Sequence, residues 1–545
     1  MLKRLLSSTL LPPFPLLQLH SSQWSLLNTT RSTSLVATLY HDDTTAIANP
    51  KLAHKAKWSD LFTVLAAGAA LISDGYQNNL MTLLNPLFAT RYGKVEYSSA
   101  VSTRVSNSLL VGAILGQVSI GVVCDRVGRK SAIIAATLLL FLGAVFATAA
   151  TAVNGDVSAL FWWFTIARGA TGVGLGGEYP TSSASASEAS NERYGREKRS
   201  TIFILCTNVV LSMGGPLAVS CFLIVLSATS YGNTSSPLDL KRLDITWRVC
   251  AGIGAVLPLS VIYFRLKMLN SKLYRQGAIK HNVPYFLFLK RYWRRMIGTT
   301  MVWFLYDFVA FSNGAFSGSI IASVLKNPTL KRTAEYQLLL GALALPGAFI
   351  GAWLVKLIGT KWQLVTGFTG YIVLGLIIGL AWDKIIDIPV LFVILYALLT
   401  SSGNLGPGSI CGLIASDSYP SALRGSAYGL SAAIGKVGAA VGTEVFTPIQ
   451  NGIGKKYTFI VAAGVGVLGV LLALFTVVDT TKLNLEEEDR KWEAYLVEHG
   501  WKGVVGCDET AFGVKEGLKA EHRVEEQQDD GLRQRSVKDG GSDSE

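Results

Sequence analysis

Hydrophobic positions gather into runs of roughly twenty residues separated by short polar joints, from about residue 58 to residue 478. A helix needs about 20 mostly apolar residues to cross the hydrocarbon of a bilayer. Twelve runs meet that length, near residues 60–86, 102–124, 131–152, 159–183, 201–228, 246–266, 297–322, 335–358, 361–381, 389–415, 425–448 and 457–478. Their uninterrupted length argues against a barrel, whose strands would alternate over about ten residues. The pattern predicts an all-α polytopic membrane protein of twelve transmembrane helices. It divides the chain into a disordered N-terminal tail (1–57), a six-helix half (58–266), a basic connector (267–296), a second six-helix half (297–478) and an acidic tail (479–545) that reads as largely disordered.

Composition sharpens this picture. Half of the 545 residues are hydrophobic and 16% are charged, against roughly 25% charged in soluble proteins. Glycine, at 54 residues, suits closely packed membrane helices. The net charge of +12 is uneven: residues 479–545 carry −8 and the rest +20. In a membrane protein such an excess marks cytoplasmic loops, and nucleic-acid binding is not implied. The connector and its approach hold Arg265, Lys267, Lys272, Arg275, Lys280, Lys290, Arg291, Arg294 and Arg295 without an acid. Bases also cluster after segment two (Arg126, Arg129, Lys130) and after segment four (Arg193, Arg196, Lys198, Arg199). These joints share one side, expected to be cytoplasmic, with both termini. Asn233-Thr234-Ser235 would then be an outward glycosylation acceptor.

Two halves are also suggested by a weak repeat. Gly128-Arg129-Lys130 closes the joint after segment two, and Gly359-Thr360-Lys361 stands at the equivalent joint after segment eight. Related six-helix halves around a midplane site are the layout of a large class of secondary transporters.

Ionisable residues inside apolar runs are costly and mark function by default. Here they are Asp74, Arg104, Arg168, Glu178, Asp307, Lys436 and Glu444. Arg168 and Glu178, ten residues apart on segment four, lie about 15 Å apart along the axis and do not pair. The glycines between them allow a close neighbour or a local opening of the helix. Trp303 and Asp307 share a face of segment seven. Lys436, between Gly435 and Gly438, offers an anchor for an anion. Asp74 can take a proton on one side and release it on the other. Structural readings stand beside these: a packing seam for segment four, an interhelical hydrogen bond for Asp307, a kink at Gly75 for Asp74. Arg104 reads as snorkelling to the surface and Glu444 as a helix-end residue. At the basic joints, Asp125, Arg126, Arg129, Glu188, Asp417 and Arg424 suggest an inner gate of salt bridges that opens and closes.

There is no phosphate-binding loop of the Gly-x4-Gly-Lys-Ser/Thr type, no metal-ligand cluster and no nucleophile–base signature. Neither enzymatic chemistry nor a cofactor is implied. The six cysteines have no metal or disulfide spacing.

Asp125-Arg126-Val127-Gly128-Arg129-Lys130 resembles the loop signature of the major facilitator superfamily. Gly176-Gly177-Glu178-Tyr179-Pro180, Trp303-Phe304-Leu305-Tyr306-Asp307 and Gly435-Lys436-Val437-Gly438 resemble its phosphate:proton symporter family. That resemblance covers residues 58–478 and implies the major facilitator fold. It also implies phosphate contacts from Tyr179, Trp303, Asp307 and Lys436, and proton coupling through Asp74 and Glu178. Arg168 would tune Glu178 or reach the anion. Asn404-Leu405-Gly406-Pro407-Gly408 departs from the symporters' Asn-Phe-Gly-Pro-Asn, and Phe311 replaces a frequent tyrosine. There, and over residues 102–108 and 303–314, the chain looks more like fungal glycerophosphodiester permeases, with Gly408 opening space.

The resemblance thus implies a monomeric, proton-coupled importer in the plasma membrane for an organophosphate anion. Asn208, Asn313, Asn404 and Asp307 would serve inositol hydroxyls, so glycerophosphoinositol is preferred to glycerophosphocholine. Alternatives are an inorganic phosphate:proton symporter, a sugar porter, and a non-transporting nutrient receptor.

Overall fold

The computed structural model describes residues 71–193, 196–229, 237–267, 271–481, 483–506 and 512–513. The N-terminal tail, the start of segment one, the Asn233 acceptor and the chain beyond residue 513 lie outside these residues.

Among the described residues, twelve long helical segments follow one another. The first six are α1 (Leu71–Glu96), α2 (Ser99–Arg126), α3 (Arg129–Thr148), α4 (Val157–Arg193), α5 and α6 (Pro237–Lys267). The fifth, α5, joins Arg196–Ile204 to Val210–Thr229 through a π-helical turn, Leu205–Val209. After the connector come α7 (Tyr285–Val324) and the stretch Leu330–Leu380, which Gly359 divides into α8 and α9. Next is α10, joining Pro389–Gly403 to Ser409–Asp417 through a second π-helical turn, Asn404–Gly408. Last are α11 (Arg424–Gly452) and α12 (Lys456–Thr476). The repeat seen in the sequence has a backbone counterpart. Gly128 (φ 134°) and Gly359 (φ 78°) both adopt conformations that side chains resist, and each starts the next helix.

Seven of the described helices are long and apolar enough to cross a membrane, the stretch holding α8 and α9 counting as one. Those left out are α1, α4, α7 and α11. They carry Asp74, Arg168, Glu178, Tyr179, Trp303, Asp307 and Lys436. These four helices, of which α1 is described only from Leu71, carry the charged and aromatic residues of the candidate site.

Lipid tails are as apolar as leucine, so helices in a bilayer associate by close packing of small residues. On α4, a Cβ at Gly172 or Gly176 would strike the carbonyls of Leu109 and Ala113 on α2, and one at Gly174 would strike Leu140 on α3. The helix continues through this glycine string, so it is a packing seam and not an opening. The halves meet along α2–α11, α1–α7 and α5–α8.

One further helix, α13 (Leu485–Glu498), lies within the acidic tail, whose residues 514–545 are outside the described ones. The Asn484 side chain accepts from the Glu486 amide at 3.2 Å, and three glutamates fill the first turn, where the helix dipole favours them. Leu485, Glu488, Trp492 and Leu496 form its buried face. They pack on Phe288, Tyr292 and Tyr419 at the end of α7 and before α11. Glu488 accepts from Arg295 at 2.8 Å, and Asp489 accepts from the Ser421 amide and hydroxyl at 2.6 Å. Burial pushes the Asp489 carboxyl above its ordinary range, against the pull of Arg424 and Ser421.

Candidate functional site

A central cavity of about 250 Å³ lies between the halves. Into it the fold brings Arg168 and Tyr179 from α4, Asn208 from α5, Trp303 and Asp307 from α7, Asn404 from α10 and Lys436 from α11. All seven expected substrate contacts thus line one space, although they come from five helices.

Lys436 donates to Asp307 Oδ2 at 2.8 Å, and both side chains are buried. Lys436 Nζ lies 3.7 Å from the Phe311 ring centroid and 5.3 Å from that of Tyr179. Trp303 packs over Gly435, where a Cβ would sit 2.6 Å from the indole. Asp307 Oδ1 and the Tyr179 hydroxyl are buried without partners. Arg168, 2% exposed, makes no ion pair among the described residues, and its Nε meets no acceptor. An unpaired buried guanidinium and a lysine held by one carboxylate are what an incoming anion needs.

The polar amides behave differently from expectation. Asn208 Nδ2 is taken by the Asn404 carbonyl (3.2 Å) and Ser409 (2.9 Å), and Asn404 Nδ2 donates to the Ala344 carbonyl. The Asn208 bonds tie the two π-helical turns together across the halves, while the Asn404 amide is held by α8 within its own half. Asn313, by contrast, lines the cavity with both amide atoms buried and unpartnered, and so does Gln337 Oε1. The room expected at Gly408 is narrowed by the Tyr306 hydroxyl, 2.7 Å from where a Cβ would stand.

Asp74 and Glu178 sit behind this wall, inside the first half. Asp74 is fully buried, neither of its oxygens meets a donor, and Glu178, Arg265 and Lys436 lie within its electrostatic reach. Glu178 Oε1 accepts from Arg265 at 2.6 Å and from Thr137 at 3.2 Å. Arg265 therefore pairs with Glu178, the role considered for Arg168. Sequence reasoning counted Arg265 among the connector's bases. Its signal was its place within an apolar run that continues to Leu266.

At the end of the molecule that carries the basic joints, five of the six expected gate residues are buried together. Asp125 accepts from Arg129 (2.5 Å) and from the first amides of α11, Gly425 (2.9 Å) and Ser426 (2.6 Å). A carboxylate from one half thus caps a helix of the other, where the dipole favours it. Glu188 accepts from Arg129 and Arg424, both at 2.9 Å. Asp417 accepts from Arg199 at 2.7 Å, a pairing the sequence reading missed. Arg126 stands apart: it is exposed and donates to Tyr285 at 3.2 Å. One step along a helix turns a side chain by about 100°, so Asp125 faces inward and its neighbour outward.

Comparison with known proteins agrees with this geometry. Residues 61–492 match the family described as "Sugar (and other) transporter". The chain is 49% identical over 462 residues to glycerophosphoinositol permease 1 of Candida albicans, covering 84% of this chain and 86% of the relative. It is 46% identical over 457 residues to glycerophosphoinositol transporter 1 of Saccharomyces cerevisiae, with the same coverage. Among solved structures, the proton:xylose symporter XylE from E. coli superposes with a TM-score of 0.65 at 16% identity, over 80% of this chain and 99% of XylE. The chain belongs to the sugar (and other) transporter family of the major facilitator superfamily. It is a multi-pass membrane transporter with two six-helix halves, not an enzyme.

Proposed function

We propose that the chain imports a glycerophosphodiester together with protons, taking glycerophosphoinositol in preference to glycerophosphocholine. One observation carries this reading: a cavity whose two cations, Arg168 and Lys436, face a carboxylate and unsatisfied amides. A phosphodiester oxygen entering beside Lys436 would compete with Asp307 for the ammonium. Asp307, so released, becomes an acceptor for a substrate hydroxyl, and Asn313 and Gln337 supply further partners for a polyol. A neutral hexose has no use for the two cations, which weighs against a sugar porter. The permeases named above support the same substrate class.

Proton movement is assigned to Asp74 and Glu178, which share one buried region with Arg265. A proton taken up there offsets the charge of the anion bound a few residues away. Alternating access would break the ion pairs at the basic end while the opposite end closes. The plasma membrane, a monomeric unit, and basic joints and termini in the cytoplasm complete the proposal. A second reading, import of inorganic phosphate, draws on the Tyr306 hydroxyl that crowds the space beside Gly408.

The test is uptake of labelled glycerophosphoinositol in cells lacking their own phosphate and diester carriers. Uptake should collapse with a protonophore and with unlabelled diester, and barely change with orthophosphate. Transport of orthophosphate alone would establish the second reading. Accumulation of neither, with binding retained, would point to a receptor. Lys436→Ala is expected to abolish binding, and normal affinity would remove its anchoring role. Asp74→Asn is expected to lose accumulation against a gradient while keeping exchange; undiminished accumulation would take Asp74 out of the proton path.

A further inference from the structure

Away from the central cavity, a groove opens between α2, α4 and α11, walled by Thr103, Arg104, Asn107, Val111, Thr165 and Glu444. Val111 and the adjacent Trp162 are 52% and 51% exposed, on the apolar perimeter that faces acyl chains. The groove therefore opens sideways, toward lipid.

Its charges are unusual for that surface. The Arg104 guanidinium lies 3.9 Å from the Trp162 ring centroid and forms no ion pair among the described residues; its buried Nε has no acceptor. Glu444 is exposed and accepts from Asn107 Nδ2 at 2.7 Å. Asn107 is 7% exposed, and its Oδ1 is buried without a donor. A cation and an anion thus share one groove without pairing, beside an amide oxygen that lacks a donor. Charged groups at lipid-facing positions are costly unless something neutralises them.

Depth narrows the choice of partner. Arg104 stands five residues into α2, about 8 Å from its end, and Glu444 eight residues before the end of α11, about 12 Å. The 28 residues of α2 span about 42 Å, close to the 40–45 Å of a whole bilayer with headgroups. Arg104 then lies where lipid phosphates give way to acyl chains.

We propose that this groove holds the headgroup of a phosphatidylethanolamine, with the phosphate on Arg104 and the ammonium on Glu444 and Asn107 Oδ1. A purely anionic lipid would leave the Glu444 charge unbalanced, since Asn107 Nδ2 gives it a hydrogen bond but no cation. A choline headgroup has no N–H to give Asn107 Oδ1 or Glu444, whereas an ethanolamine has three. A soluble phosphate has no acyl chains for the apolar mouth. The site spans both halves: Asn107 bonds to Glu444, and Thr103 bonds to Thr447 at 3.1 Å. A lipid bridging α2 and α11 there favours the state in which this end is closed.

Native mass spectrometry of the full chain, released from mixed ethanolamine, choline and glycerol phospholipids, tests the proposal. The wild type should retain an ethanolamine lipid in preference to the other two. Arg104→Gln should lose that adduct, and Glu444→Gln should shift the preference toward the anionic glycerol lipid. Equal retention of all three by the wild type, or wild-type behaviour of both variants, would overturn it. Should the variants not fold, a photoreactive ethanolamine lipid on the wild type decides. Crosslinks to peptides of α2 and α11 support the site, and crosslinks confined to other helices sink it.

Discussion

Single residues decide how much room the cavity has and how its charges are balanced. A Cβ at Gly408 would sit 2.7 Å from the Tyr306 hydroxyl and 3.0 Å from the Gly403 carbonyl. Gly408→Ala should therefore push Tyr306 into the cavity, raising KM for a diester several-fold more than for orthophosphate. Competition uptake with both ligands measures this; equal changes would show that Gly408 does not govern size. Arg265 makes a second case. Removing one partner of a buried ion pair costs about 3–5 kcal/mol when the other is left charged. Arg265→Ala should lower thermal stability at neutral pH and spare it when Glu178 is also changed to Gln. Measuring Tm for the single and double variants gives the answer, and additive losses would mean that the two do not act as a pair.

At the scale of elements, the sequence was most legible where physics is local. Runs long enough to span a bilayer marked the helices, and charges that a bilayer penalises marked α1, α4, α7 and α11 as the working ones. Arg168, Asp307 and Lys436 could be chosen because they stand out against apolar neighbours, whereas Tyr179 came only from the family resemblance. Partner choice was less legible. Nothing local says that Glu178 meets Arg265 and not Arg168, since the pairing is made by α4 and α6 crossing in space. Nor could it show that Asn208 would spend its amide on the Asn404 carbonyl and Ser409 of α10, or Asn404 its amide on Ala344 of α8. The α13 stretch of the tail was hidden for another reason: acidic composition reads as disorder, while Asn484, Trp492 and Leu496 give residues 485–498 a capped start and one apolar face. Trp492→Ala should undock that helix, because truncating a buried tryptophan costs about 3–5 kcal/mol. Limited proteolysis should then cut after residue 478 faster than in the wild type, and unchanged cleavage would show that the other contacts suffice.

Across the whole molecule, the ion pairs at the basic end account for the state seen. Asp125, Arg129, Glu188 and Arg424 are all buried and tie α2, α3 and α4 to α11, so the cavity is shut from that end. Glu188→Gln weakens two of those pairs at once and leaves Arg129 and Arg424 poorly compensated. A loss of about 3 kcal/mol would shift the balance between closed and open forms by about a hundredfold. Cys411 lines the cavity and is buried, so it can report the change. In a chain whose other cysteines are replaced by serine, a maleimide applied from the basic end should label Cys411 slowly in the parent and far faster in Glu188→Gln. Saturating substrate should alter the parent's rate as well, because a ligand that binds the two forms unequally must move their populations. Equal labelling in parent and variant would mean that these buried pairs are structural ties rather than the gate. The moving surface would then have to lie elsewhere, along α1–α7 or α5–α8.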